Sequence, residues 1–138
     1  MKKTPLILII TLLLSSILLN SCKKDEEKTS ADLLTDHPWF GVKVEKYIDE
    51  QLAETNDISS RKMVFYENKT YKFYDNNELE DEGTWKIEEG SPDKIITVDS
   101  DGDEMEAMII ELSEDKLEVY TLKEINGVNY KYVIKYKK

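Results

Sequence analysis

The chain is expected to be all-β, a single small antiparallel up-and-down barrel of about eight strands, and three features predict it. From Trp39 onward apolar and polar residues alternate with a period of two, as they do in strands that bury one face. The alternating runs are short, and Asn, Asp and Gly clusters punctuate them. The intervals between runs are too short for crossover helices, so successive strands must pair antiparallel as a meander.

The first strand is expected over residues 39–47, with Phe40, Val42 and Val44 on one side and Lys43 and Glu45 on the other. Residues 49–60 are polar, with Leu52, Ala53 and Ile58 at loose helical spacing, and predict a loop or a short helix capping one end. Strands over 62–66 and 70–74 flank Glu67-Asn68-Lys69, a hairpin-sized break in which Asn tolerates a positive φ. A fourth strand, 79–87, follows Asp75-Asn76-Asn77 and places Trp85 and Ile87 on the same face. After the break at Glu89-Gly90-Ser91-Pro92-Asp93 comes strand five, 94–99, then the Ser100-Asp101-Gly102-Asp103 turn and strand six, 104–112. Strand seven covers 116–123; Asn126-Gly127 is a type I′ hairpin signal, and strand eight runs over 128–136.

An eight-stranded meander can close on itself, which removes its edges and leaves an interior for side chains or one small ligand. The alternative is an open sheet or a two-sheet sandwich. Strand eight favours closure, because Tyr130, Tyr132, Ile134 and Tyr136 on one face would make an adhesive edge if unpaired.

Ahead of the barrel lie Lys2 and Lys3, then an apolar run from Pro5 to Leu19 interrupted by Thr11, Ser15 and Ser16. That run is short for a hydrocarbon core, which asks for about 20 residues, so residues 1–21 are expected to be a signal peptide cleaved after Ser21. Leu19-Asn20-Ser21-Cys22 resembles the lipobox of bacterial lipoproteins, which implies acylation of Cys22 and a lipid anchor in the membrane. A plain signal peptide with a free thiol is the alternative. Cys22 is the only cysteine, so no internal disulfide is possible and the fold must stand on its core.

Residues 22–32 are expected to form a charged tether, since Lys23-Lys24-Asp25-Glu26-Glu27-Lys28-Thr29-Ser30 has no aromatic residue to bury. The stretch also resembles the Lys-then-acidic export signal of surface-displayed lipoproteins in one group of Gram-negative bacteria; a solvated spacer is the plainer reading. Without residues 1–21, which hold two lysines and no acid, 117 residues remain with 17 basic and 29 acidic side chains, a net charge of −12. Such a surface repels phosphate backbones and anionic lipid alike, which excludes nucleic acid as a partner and leaves membrane attachment to the anchor.

Residues 33–138 resemble the small lipocalin-like domains of Gram-negative surface lipoproteins. The resemblance rests on Leu33-Leu34-Thr35 before Trp39, the hairpin Val64-Phe65-Tyr66 to Tyr71-Lys72-Phe73, the strand Gly83-Thr84-Trp85-Lys86 and the closing Gly127-Val128-Asn129-Tyr130. The glycine usual between the Leu-Leu-Thr run and the Trp is replaced by Asp36-His37-Pro38. The resemblance implies a small β-barrel in an outer-membrane lipoprotein of the cell envelope, exposed at the surface if the export signal operates, and no settled ligand.

Chemistry-bearing motifs are sparse. Counting from Asp99, the sixth and twelfth positions of an EF-hand loop would be Glu104 and Ile110 instead of Gly and Glu, so the acidic run reads as an Asp-Gly hairpin turn, with a weak cation site as the lesser alternative. His37 is the only histidine, has no ligand-spaced companion, and is expected to fix the start of the first strand. With Cys22 assigned to lipid and no activated nucleophile, the protein is expected not to be an enzyme and to need no cofactor. The aromatic set is the candidate binding equipment: Phe65, Phe73, Trp85, Tyr120 and Tyr132 lead it, with Tyr130 and Tyr136, either lining a cavity or filling the barrel. Two functions follow. One is the binding of a small apolar or amphipathic ligand; the other is an accessory role contacting an envelope protein through the barrel surface.

Overall fold

The computed structural model describes residues 27–138. One short helix, α1 (Ser30–Thr35), precedes nine strands: β1 (Trp39–Ile48), β2 (Gln51–Asp57), β3 (Arg61–Phe65), β4 (Thr70–Asp75), β5 (Glu78–Glu88), β6 (Ser91–Asp99), β7 (Glu104–Leu112), β8 (Lys116–Ile125) and β9 (Val128–Lys137). All pair antiparallel, and β9 returns to β1, so β1 and β3–β9 form a closed eight-stranded barrel. Strand β9 is thereby paired along both edges, against β8 and β1.

Strand β2 is additional, and it corrects the expectation of a loop or helix over residues 49–60. After pairing with β3 only at Trp39↔Met63 and Phe40↔Lys62, β1 takes β2 as its partner along the rest of that edge. The connecting turn puts Asp49 and Glu50 at φ 48° and 67°, a left-handed pair that usually draws Asn-Gly. Every residue of β2 is exposed, so the strand has no buried face to impose alternation. Neither sequence signal for a hairpin is present, although the hairpin is.

A β-bulge between Gly41 and Lys43 corrects the facing of the first strand. Trp39 and Gly41 point inward, Phe40 and Val42 are 42% and 37% exposed, and beyond the bulge Val44 turns to the interior opposite Ile134. The extra residue shifts the phase, and a fixed alternation cannot represent it. Gly41 is needed where it stands, because a Cβ there would run into the Ile58 carbonyl oxygen.

One barrel end is plugged. α1 starts inside the residues expected as tether, where Thr29 and Asp32 form a reciprocal capping box. Leu34 and Trp39 are fully buried against Phe65, Tyr71, Trp85 and Leu117. Pro38 has no N–H to offer the Leu34 carbonyl four residues earlier; the Trp39 indole N–H donates to that oxygen instead, at 3.0 Å. His37 closes the same end, its ring 4.3 Å from that of Trp39 and its Nε2 2.8 Å from the Glu114 carbonyl oxygen. The expected role of His37 at the start of β1 is thus visible in its contacts.

The β1–β2, β4–β5, β6–β7 and β8–β9 turns ring the opposite end. Asn126-Gly127 takes the anticipated left-handed pair, at φ 54° and 78°, and Asn76-Asn77 does the same at 50° and 65°. In the acidic turn, the Asp99 carboxylate accepts from the backbone N–H groups of Asp101 and Asp103 at 2.9 and 2.8 Å, so this run is tied up in making the hairpin.

Candidate functional site

Between plug and rim the barrel is hollow. Two communicating chambers share Met63, Thr97, Met105, Ile134 and Tyr136: an inner one of about 50 Å³ and an outer one of about 270 Å³. The inner chamber is walled by Phe65, Ile95, Ala107, Leu117 and Val119 and is almost wholly apolar. The outer one adds Val44, Phe73, Tyr71, Arg61 and Asp81. The outer chamber by itself comes close to the lower end of the range for small-molecule pockets, roughly 300 Å³ upward. A wider depression of about 670 Å³ lies between the tips of the β1–β2 and β8–β9 hairpins, lined mainly by charged and polar residues such as Asp49, Glu50, Lys123 and Glu124. It is a groove between hairpin ends; the barrel interior, with apolar walls on all sides and a few polar groups, is the better-built site.

The polar groups come from strand alternation. On β3 the phase that buries Met63 and Phe65 also brings in Arg61, and on β4 and β5 Tyr71 and Asp81 face the same space. The Tyr71 hydroxyl donates to Asp81 Oδ2 at 2.6 Å. Burial, then that bond and the negative charge of Asp81, hold the Tyr71 phenol well above the usual tyrosine range. Arg61 Nε lies 3.5 Å from Asp75 Oδ2, and Asp75 also accepts the Ser60 hydroxyl at 2.6 Å. Burial pushes the Tyr136 phenol up to about 12.

Of the five leading aromatic candidates, Phe65 lines the inner chamber and Phe73 the outer. Trp85 lies beneath the site: it is 2% exposed, packs edge-on to Phe65 at 5.5 Å, and donates its indole N–H to the Tyr66 carbonyl oxygen at 3.0 Å. It belongs to the floor and does not line either chamber. Tyr120 faces away from the cavity, since Val119 and Thr121 on either side point in, and Lys131 Nζ sits 4.7 Å from its ring centre. Tyr132, beside Thr121 and Lys46 in register, stands on the inward phase of β9 but is not among the chamber walls. Cys22 lies outside the described residues.

Arg61 and Asp81 were not among the sequence candidates. Their signals were present: Arg61 is the only arginine in the chain and shares the phase of Met63 and Phe65, while Asp81 shares the phase of Gly83 and Trp85. Among the described residues no cluster of His, Cys, Asp and Glu could hold a metal ion.

The plugged, closed, eight-stranded meander around an apolar cavity agrees with a match to the family model of the lipocalin-like domain over residues 37–119. The chain belongs to the lipocalin-like domain family. The match starts at His37 and runs through β1 to Val119 on β8, so it takes in most of the cavity wall and leaves β9 as the closing element of this lipocalin-like barrel. No curated protein matches the chain.

Proposed function

We propose that this lipocalin-like domain binds a small apolar or amphipathic ligand inside the barrel, held at the outer membrane of the cell envelope by a lipid on Cys22. The observation that carries the binding half is the paired chamber, apolar within and bearing Arg61, Tyr71, Asp81 and Tyr136 where it widens. A barrel meant only to be stable would fill this volume, since each unfilled methyl-sized space costs about 1 kcal/mol. The anchoring half rests on Leu19-Asn20-Ser21-Cys22 and the apolar run before it.

Native mass spectrometry of residues 27–138 purified from the native host tests the first half. A reproducible co-purifying small molecule is expected, and it should be lost when Val44→Phe fills the outer chamber; clean protein in every preparation counts against binding. Membrane fractionation tests the second, with Cys22→Ser expected to move the protein out of the membrane pellet. A second reading, contact with an envelope protein, draws on Leu52, Leu122 and Ile125, which are 56%, 70% and 40% exposed near the adjacent β1–β2 and β8–β9 turns. Crosslinking from Leu122 in whole cells would separate the two readings.

A further inference from the structure

The outer chamber is lined by one cation, Arg61, and one anion, Asp81, and among the described residues only the cation has an ion-pair partner. Arg61 is matched by Asp75 through Nε, and Asp75 is held in turn by Ser60. Asp81 on β5 has no cationic partner among the described residues; its one hydrogen bond comes from the Tyr71 hydroxyl to Oδ2, which leaves Oδ1 free. A carboxylate oxygen that lines an otherwise mainly apolar chamber with no protein donor on it is an anchoring point for a cation delivered by a ligand.

Resting on the reading of the barrel as a ligand-binding site, we propose that its ligand is an amine: a protonated amino group bound by Asp81, carrying an apolar body that reaches toward the inner chamber. Three further features fit a cation. The aromatic side chains of Tyr71 and Phe73 line the same chamber and bring π-systems within reach of an ammonium group there. The protein is strongly acidic, with 29 acidic against 19 basic residues in the whole chain, so its field draws cations toward an aperture and repels anions. The space behind Asp81 is mostly apolar, with Met63, Ile95 and Ile134 in its walls and only the hydroxyls of Thr97, Thr121 and Tyr136 as polar groups, so it suits an apolar body. A carboxylate-headed ligand would have to use Arg61 against the opposing charge of Asp75 and with Asp81 in the same chamber.

Isothermal titration of residues 27–138, which contain every barrel strand and the plug, distinguishes the possibilities with three probes of equal chain length: octylamine, 1-octanol and octanoate. Octylamine is expected to bind at least about tenfold more tightly than octanol, the worth of one charge-assisted hydrogen bond, with octanoate weakest. Asp81→Asn keeps an oxygen to accept from Tyr71. It should bring octylamine to the level of octanol while changing octanol binding by less than about threefold. If octanol or octanoate binds as tightly as octylamine, or if the amine preference survives in Asp81→Asn, amine selectivity is wrong and the cavity reading stands. If none of the three binds, the cavity reading falls and takes the amine with it.

Discussion

Replacing Trp39 with Phe removes one N–H and part of one ring from the plugged end of the barrel, and the structure sets the size of the effect. Trp39 is fully buried, and its indole supplies the hydrogen bond that Pro38 cannot give to the Leu34 carbonyl. In Trp39→Phe that buried oxygen has lost its donor, which costs about 1–3 kcal/mol. The lost ring volume adds about 1–2 kcal/mol, because the surrounding Leu34, Phe65 and Leu117 belong to a closed barrel that can collapse only in part. The expected loss is therefore about 2–5 kcal/mol. Urea unfolding of residues 27–138 followed by far-UV circular dichroism should show the midpoint falling by roughly 1–2.5 M at an unchanged slope, for a slope of about 2 kcal/mol per M. Leu122→Ala, at a 70% exposed position, serves as the control and should stay within about 0.5 kcal/mol of the parent. A Trp39→Phe midpoint indistinguishable from that control would mean that α1 and the indole decorate the barrel end and do not seal it.

Other outcomes follow from single features. Glu50→Gly relieves a left-handed residue in the β1–β2 turn and should raise the thermal midpoint by a few degrees, about 0.5–1 kcal/mol; no change would mean that the turn is unstrained. Gly83→Ala drives a Cβ into the Val98 carbonyl oxygen and should cost roughly 1–3 kcal/mol in a denaturant titration; a midpoint equal to the parent's would mean that β5 and β6 can part to admit the methyl group. Tyr136 titrates near 12 when folded and near 10 when unfolded, so its contribution is complete below pH 10 and is lost as the pH rises from 10 through 12. Tyr136→Phe should make stability less steep over that interval, by an amount on the order of 2–3 kcal/mol; parallel curves for the two proteins would refute the burial of this phenol.

The barrel was legible in the sequence because most of its wall obeys two local rules. Alternation located β3–β9 to within a few residues, and Asn126-Gly127 marked its turn correctly, since both signals follow from one buried face and one left-handed pair. What escaped came from places where those rules are suspended. Strand β2 has no buried face, its turn uses Asp49-Glu50, and the bulge at Val42 puts Val44 on the opposite side from Phe40 and Val42, which were expected to share one side with it. The site was legible by half. Aromatic residues announce an interior, but which interior residues are charged depends on strand phase, and Arg61 and Asp81 look like surface residues until Met63, Phe65 and Trp85 are seen to share their side. Tyr120 fails for the complementary reason: an aromatic ring can serve the outer wall when a lysine such as Lys131 lies across it.

The seam between β1 and β9 also governs when this structure can exist. Phe40 pairs with Lys137 and Ile48 with Tyr130, so the closing contacts join segments separated by nearly all of the described sequence. Loop-closure entropy must be met before those contacts return any energy, which places the domain among slow, millisecond-to-second folders. Until β9 docks, β1 is a bare edge and the cavity is an open trough with its apolar wall in water. Ligand affinity, resistance to proteases and protection from edge-to-edge association should therefore all appear together, at the single late step in which the last strand is laid against the first.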